Sequence, residues 1–126
     1  MTLLRLKTLA FAVLLPLLFG LGCDRSSAPP APLSAAEMPA AFNKAFTKAK
    51  PEVKGVADQI VAAVQAQDYS TAFNALTSIV GNGSLTKEQS QVISRALLTV
   101  NNLLQEAQAK GDTKAAETIK TYHSTK

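Results

Sequence analysis

The chain has 126 residues, 47% of them hydrophobic, with 13 basic and 9 acidic side chains. This length accommodates one small domain. With no tryptophan, two tyrosines and no dense run of basic residues, the composition lacks the basic stripe and the aromatic platforms that bind nucleic acids, and no nucleic acid is predicted as a partner.

The first 22 residues have the pattern of a signal peptide. Arg5 and Lys7 form a short cationic start, and no charged residue occurs from Thr8 to Gly22, where leucine and phenylalanine form an apolar run. A membrane-spanning helix needs about 20 apolar residues, whereas this run is shorter and contains Pro16. We therefore predict a cleaved export signal over residues 1–22.

The residues around Cys23, the single cysteine of the chain, resemble the lipobox of bacterial lipoproteins. Gly22 precedes the cysteine, as a small residue does in that family, while the family's leucine stands here at position 21, one place later than usual. The resemblance covers residues 1–23 only. It implies that Cys23 is acylated, becomes the mature N-terminus and anchors the protein to a membrane of the bacterial cell envelope.

Two alternatives stay open around this cysteine. Gly20 and Gly22 also fit the small-x-small rule of ordinary secretion, in which Cys23 keeps a free thiol. A lone thiol in an exported protein has no disulfide partner, which favours the lipoprotein. The resemblance leaves inner and outer membrane open, although an aspartate in the place of Asp24 marks retention at the inner membrane in some bacteria.

Residues 23–39 are predicted to form a lipidated, disordered tether. Prolines, serines and alanines dominate this stretch, and such a composition buries too little apolar surface to order itself. Without Arg5 and Lys7, 11 basic and 9 acidic side chains remain in the mature chain, a net charge of +2. Residues 40–126 are left for folding.

Hydrophobic residues at helical spacing then predict five helices. The first covers residues 40–49 and ends before Pro51, because the residue before a proline is disfavoured in a helix. The second starts at Pro51 and runs almost to Asp68. Either Asp68 or Ser70 caps the third helix, which ends at the glycines of the segment 81–83.

The fourth helix is the longest of the predicted elements. Thr86 and Gln89 have the spacing of a capping box, and the apolar stripe that follows continues to about Ala109. Gly111 then ends this helix, and Asp112 caps the fifth.

Together these elements predict an all-α fold: a small antiparallel bundle of two helical hairpins plus a short N-terminal helix. Leu97 and Leu104, on the apolar stripe of the fourth helix, are predicted to be buried. The segments 63–72 and 107–116 match in two alanines and an aspartate, 44 residues apart. This is weakly similar to tetratricopeptide-like repeats, whose period is 34. Two unrelated helix caps that share Asp and Ala explain the match without repeat ancestry, and we favour that explanation.

The sequence predicts neither catalysis nor metal or cofactor binding. Its single histidine, His123, lies near the end of the chain, whereas nucleophilic catalysis needs a nucleophile, a base in reach and an orienting group. The carboxylates are scattered singly rather than grouped with histidine or cysteine as metal ligands. We predict that the protein is not an enzyme and needs no cofactor.

Four lysines are the candidate membrane contacts. Lys44, Lys48, Lys50 and Lys54 cluster around the first two helices, and each lysine near an anionic bilayer contributes about 1 kcal/mol; a solvated helix face is the alternative. We predict a membrane-anchored, non-enzymatic module that acts through contact with an envelope protein. The alternative is a peripheral membrane or small-ligand-binding lipoprotein that uses these lysines and an apolar groove between helices.

Overall fold

The predicted all-α class is confirmed. A computed structural model describes residues 29–81 and 84–126, and these residues form α-helices and connections without a strand. The predicted signal peptide and Cys23 lie outside the described residues. The helices are α1 (Met38–Phe46), α2 (Pro51–Gln65), α3 (Tyr69–Gly81), α4 (Lys87–Ala109) and α5 (Thr113–Ser124).

The helices form two hairpins, α2–α3 and α4–α5, with α1 packed against α2 and α4. α3 contacts α2, α4 and α5, so it carries the largest share of the core; Leu76, Ile79 and Ala72 are 0–1% exposed. The buried apolar residues form one cluster that includes Phe42, Phe46, Ala57, Ile60, Ala63, Val64, Phe73, Ala75, Ile93, Ala96, Val100, Leu104 and Ala115.

One burial prediction on α4 needs correction. Leu104 is 1% exposed, as predicted, but Leu97 is only partly buried and packs against the edge of the core. The apolar stripe of α4 is wider than the surface that its neighbours cover, and Leu97 lies at its margin. In α5 only Ala115 is buried, so this helix rests on the bundle with a narrow apolar face.

The turns that close the two hairpins have the same backbone geometry. Gln67 and Gly111 adopt positive φ angles of 58° and 92°, the left-handed conformation that ends many helices. The next residue in each turn, Asp68 or Asp112, donates its backbone N–H to a carbonyl in the last turn of the preceding helix, at 2.9 and 3.0 Å. The same aspartate then caps the following helix with its carboxylate. Of the two caps predicted for α3, the structure forms the one at Asp68, and the predicted Asp112 cap of α5 is confirmed.

The start of α4 is held from two sides. The backbone N–H of Gln89 donates to the Thr86 hydroxyl at 3.2 Å, and the Thr86 N–H donates to the Gln89 side-chain oxygen at 3.0 Å, which completes the predicted capping box. The Gln89 amide nitrogen also donates to the carbonyl of Ala45 at 3.1 Å. This long-range bond joins the start of α4 to the end of α1.

The N-terminal segment differs from its prediction. Residues 31–33, which we call the N-terminal strap, lie against α4: the Leu33 N–H donates to the Arg95 carbonyl, and the Arg95 Nε donates to the Ala31 carbonyl at 2.7 Å. The Thr99 hydroxyl donates to the Leu33 carbonyl. Leu33 is 3% exposed. The predicted disordered tether over residues 23–39 is therefore wrong from residue 31 on, because this part of the chain is bonded to α4.

The first helix is also displaced from its predicted range of 40–49. A second capping-box arrangement precedes it, in which the Ser34 hydroxyl and backbone N–H both donate to the Glu37 carboxylate, at 2.7 and 3.0 Å. These bonds hold the pKa of Glu37 below its ordinary value. Pro39 fits the first turn because the N–H that it lacks has no partner there. α1 therefore starts at Met38, whose side chain is fully buried.

Candidate interaction surface

The described surface contains an apolar depression between α4 and α5, which we call the α4–α5 groove. It has a volume of about 350 Å³. Its lining residues are Phe73, Leu97, Leu98, Asn101, Gln105, Ile119, Tyr122 and His123. These residues come from three helices, and none of them is a lysine, an arginine, an aspartate or a glutamate.

Two aromatic rings form the floor of the α4–α5 groove. Phe73 of α3 is 5% exposed, and its ring meets that of Tyr122 edge-on with 5.0 Å between centroids. This arrangement matches the preferred geometry of aromatic pairs. The Lys126 ammonium lies over the Tyr122 ring, 4.7 Å from its centroid. Tyr122 thus fixes the end of α5 beside the core, while its partly exposed edge stays in the groove wall.

The outer face of α4 continues the groove along the helix, and we call this face the α4 ridge. Its residues recur at spacings of three and four, which puts them on one side of a helix: Ser90, Ser94, Leu98, Asn101 and Gln105. Leu98 is 42% exposed, and Val80 at the end of α3 is 52% exposed. These two are the exposed large hydrophobic residues of the described chain, and Val80 shares a shallow depression with Ser90 and Ser94.

The α4 ridge carries no charge over about 22 Å, the length of 15 helical residues. Lys87 lies on the same face one turn before Ser90, just beyond the ridge, and Glu106 lies near the other end of α4. Glu88 and Arg95 lie on the side of α1 and the N-terminal strap. Within the part of the chain that the structure describes, the ridge's polar side chains make no hydrogen bond. Their hydroxyl and amide groups are free to bond a partner.

The predicted lysine cluster lies away from the α4–α5 groove. Lys44 is in the last turn of α1, Lys48 and Lys50 are in the connection to α2, and Lys54 is in the first turn of α2. The first three are exposed, whereas Lys54 pairs with Asp58 at 2.7 Å. No lysine lines the α4–α5 groove, whereas Lys44 lines a second depression, between α1 and α4, together with Ala41 and Val92.

An ion pair connects the two hairpin turns at the other end of the bundle. The Lys114 ammonium donates to both carboxylate oxygens of Asp68, at 2.9 and 3.0 Å. Asp68 also accepts from the Thr71 hydroxyl and backbone N–H. The hydrogen bond from Lys114, followed by that from Thr71, holds the pKa of Asp68 below its ordinary value.

The described residues contain no group of three or more histidine, cysteine, aspartate and glutamate side chains placed to hold a metal ion. His123 is exposed, and its ring lies 6.0 Å from that of Tyr122. Over the same residues, no helix combines the length and the apolar character that a bilayer span requires. Comparison with protein-family models, with curated proteins and with solved structures gives no match.

Sequence reasoning missed the α4 ridge and the N-terminal strap. The sequence signal for Leu98 was its position outside the apolar stripe of α4, but a single exposed apolar residue is common on protein surfaces and becomes a candidate contact site only beside further apolar surface such as the α4–α5 groove. Leu33 carried no such signal, since it is a single apolar residue among prolines and alanines.

Proposed function

We propose that this protein is a membrane-anchored, non-enzymatic helical module that acts through protein–protein contact in the bacterial cell envelope. The observation that carries the contact is the α4 ridge with the adjoining α4–α5 groove. Interface cores are depleted of charged residues and enriched in aromatic ones, and this surface has that composition around the exposed Leu98.

The anchor in this proposal is the acylated Cys23. Its support is the uncharged run that ends in Gly22-Cys23. A multiply acylated cysteine holds a protein on a bilayer durably, because each buried methylene contributes about 0.8 kcal/mol. Anchored in this way, the domain meets its partner at the membrane surface.

Photocrosslinking in intact cells tests the contact surface. A photoreactive phenylalanine replaces Leu98 or Gln105 on the α4 ridge, and Gln59 on the exposed side of α2 in a control variant of similar exposure. The proposal predicts discrete protein adducts from the two ridge positions and none from position 59. Equal labelling at all three positions, or no adduct from the ridge, contradicts it.

A second candidate function is contact with an anionic membrane through the lysine cluster. The observation in its favour is that Lys44, Lys48 and Lys50 are exposed together around one helix connection. Binding of an unlipidated 24–126 fragment to vesicles with anionic lipid then falls with salt and with the double substitution Lys44→Ala, Lys48→Ala. The matched control, Lys110→Ala with Lys120→Ala, removes the same charge from other exposed positions. Equal loss in both variants indicates general electrostatics and rejects this candidate.

A further inference from the structure

The α4 ridge has a symmetric sequence. Ser94 and Asn101 are equidistant from the midpoint between Leu97 and Leu98, and Ser90 and Gln105 are equidistant from the same midpoint. A hydroxyl on one side therefore corresponds to a side-chain amide on the other, around an apolar centre. When two copies of such a helix pack antiparallel about that midpoint, each position meets its counterpart, as a two-fold interface requires.

We propose that the partner of the α4 ridge is a second copy of this chain, packed antiparallel across a two-fold axis between Leu97 and Leu98. This deepens the proposed function by naming the partner, and it rests on the ridge being a contact surface. Leu98 of each copy then packs on Leu98 of the other, offset by about 1.5 Å along the helix axis. Ser94 faces Asn101 and Ser90 faces Gln105, and hydroxyl and amide groups can bond each other in either direction.

The exposed Val80 finds its place in the same arrangement. Val80 shares a depression with Ser90 and Ser94. The symmetry counterparts of these two serines, Gln105 and Asn101, line the α4–α5 groove. The depression and the groove lie on the same side of α4. The two-fold rotation reverses the direction along α4 but leaves each residue on the same lateral side of the ridge. It therefore sets Val80 of each copy over the α4–α5 groove of the other, so that both exposed large hydrophobic residues become covered.

Charge and area favour a second copy held on the same membrane. A ridge without charges meets itself without like-charge repulsion, which a charged helix face does not. A strip about 22 Å long and one helix diameter, about 10 Å, wide has an area of roughly 220 Å². This is well below the roughly 800 Å² per partner of a standard interface, so the pair is weak in dilute solution. Anchoring raises the effective concentration of the two copies and makes a weak contact effective.

Disulfide crosslinking of the full-length protein in membranes tests the arrangement, because a disulfide forms only when the Cβ atoms approach to about 4 Å. Single cysteines are introduced as Leu98→Cys, Ser94→Cys and Asn101→Cys. There are two controls: the wild type, which measures any crosslinking through its single cysteine Cys23, and Gln59→Cys, an exposed position on α2. We expect Leu98→Cys to crosslink with itself several-fold more than either control. Ser94→Cys, co-expressed with differently tagged Asn101→Cys, gives the mixed dimer.

The pattern of products decides the matter. Ser94→Cys alone crosslinks poorly in the antiparallel pair, because the two copies of this position lie about 10 Å apart along the axis. Self-crosslinking at positions 94 and 101 without the mixed product overturns the antiparallel arrangement, and crosslinking at or below the Gln59→Cys level overturns self-association. If position 98 photocrosslinks only to a different protein and not to a second copy of this chain, the proposed function is supported and this inference is refuted. Leu98→Asp, added to the Ser94→Cys and Asn101→Cys chains, abolishes their mixed dimer. Because position 98 is exposed, the thermal unfolding midpoint is retained.

Discussion

At the scale of single residues, Gln67 and Gly111 have equivalent places in the two hairpin turns, yet only one of them is glycine. Both have positive φ, a conformation that is unfavourable for a residue with a Cβ atom. We predict that Gln67→Gly stabilises the fold by about 1 kcal/mol, because the strain at this position is relieved. The free energy of unfolding from urea denaturation measures the gain; a loss shows that the Gln67 side chain stabilises the turn.

The reciprocal change at Gly111 is predicted to destabilise the fold. A Cβ atom built on Gly111 meets no heavy atom within 4 Å, so the cost of Gly111→Ala comes from the backbone alone and amounts to about 1 kcal/mol. Gly55, which is helical and equally uncrowded, is the matched control: Gly55→Ala stabilises by up to about 1 kcal/mol. The same sign for both alanine variants contradicts the assignment of strain to position 111.

The Asp68–Lys114 pair predicts a pH dependence. The pKa of Asp68 is lower in the folded than in the unfolded chain, so its stabilisation is present above the unfolded pKa and disappears as the pH falls through the folded pKa, below about pH 4. Asp68→Asn keeps a capping oxygen but loses the charge. We expect it to destabilise at pH 7 and to match the wild type near pH 2.

A double-mutant cycle isolates this ion pair from the cap. Both side chains are substantially exposed, at 38% for Asp68 and 63% for Lys114, which limits the coupling energy to about 0.2–1 kcal/mol. Asp68→Asn and Lys114→Met, alone and together, give that coupling by urea denaturation at neutral pH. A coupling that stays the same in 1 M salt is inconsistent with an exposed pair, since salt screens such charges.

At the scale of helices, α4 offers a matched pair of leucines. Leu104 is 1% exposed and Leu97 is partly buried. We predict that Leu104→Ala costs about 2–5 kcal/mol, the range for a core leucine, and that Leu97→Ala costs about 1 kcal/mol. Thermal and urea unfolding of the two variants measure the difference. Equal costs place Leu97 in the core and remove it from the wall of the α4–α5 groove.

The N-terminal strap is predicted to contribute to the stability of the domain. Leu33 is buried and its two backbone groups bond to α4, so Leu33→Ala costs about 2 kcal/mol. Pro32→Ala is the control, because Pro32 is adjacent and exposed. Urea denaturation measures the free energy of unfolding of both variants. A cost below about 0.5 kcal/mol for Leu33→Ala indicates that the strap detaches in solution.

The comparison of sequence and structure separates local from long-range determinants. The caps at Thr86 and Asp112 were predictable, because each is a hydrogen bond between residues three apart whose spacing is visible in the chain. The strap was not, since Leu33 depends on Arg95 and Thr99, more than 60 residues away. The matching geometry of the two turns was visible as shared alanines and aspartates; repeat ancestry remains a hypothesis.

The candidate surface was predictable only in outline. An interhelical apolar groove was predicted, but its lining depends on how α5 lies across α4, and Ile119 and Tyr122 alone do not reveal that placement. The lysine cluster lies away from the α4–α5 groove, and one of its members, Lys44, lines the depression between α1 and α4 instead. The apolar stripe of a helix predicts its buried side, whereas an interaction surface emerges from what the neighbouring helices leave uncovered.

At the scale of the whole molecule, the strap brings the folded domain closer to its proposed anchor. Seven residues, 24–30, separate Cys23 from Ala31, the first residue bonded to α4. Even fully extended, eight residue steps cover at most about 29 Å. A tether reaching to residue 39 would be about twice as long. The acylated cysteine would therefore hold the α4 ridge within a molecular diameter or so of the bilayer, which suits contact between anchored neighbours.

The last prediction concerns Cys23, on which the proposed envelope location depends. Cys23→Ser leaves a protein that is soluble or unprocessed, because serine cannot form the thioether that carries the lipid, and no helix of the described residues can span a bilayer in its place. Detergent phase separation and the mass of the mature N-terminus measure this outcome, with Ser27→Ala as a control beside the cysteine. Wild type in the aqueous phase with an unmodified thiol identifies ordinary secretion. Retention of Cys23→Ser in membranes at high salt instead assigns the anchor to an uncleaved segment that starts near Thr8.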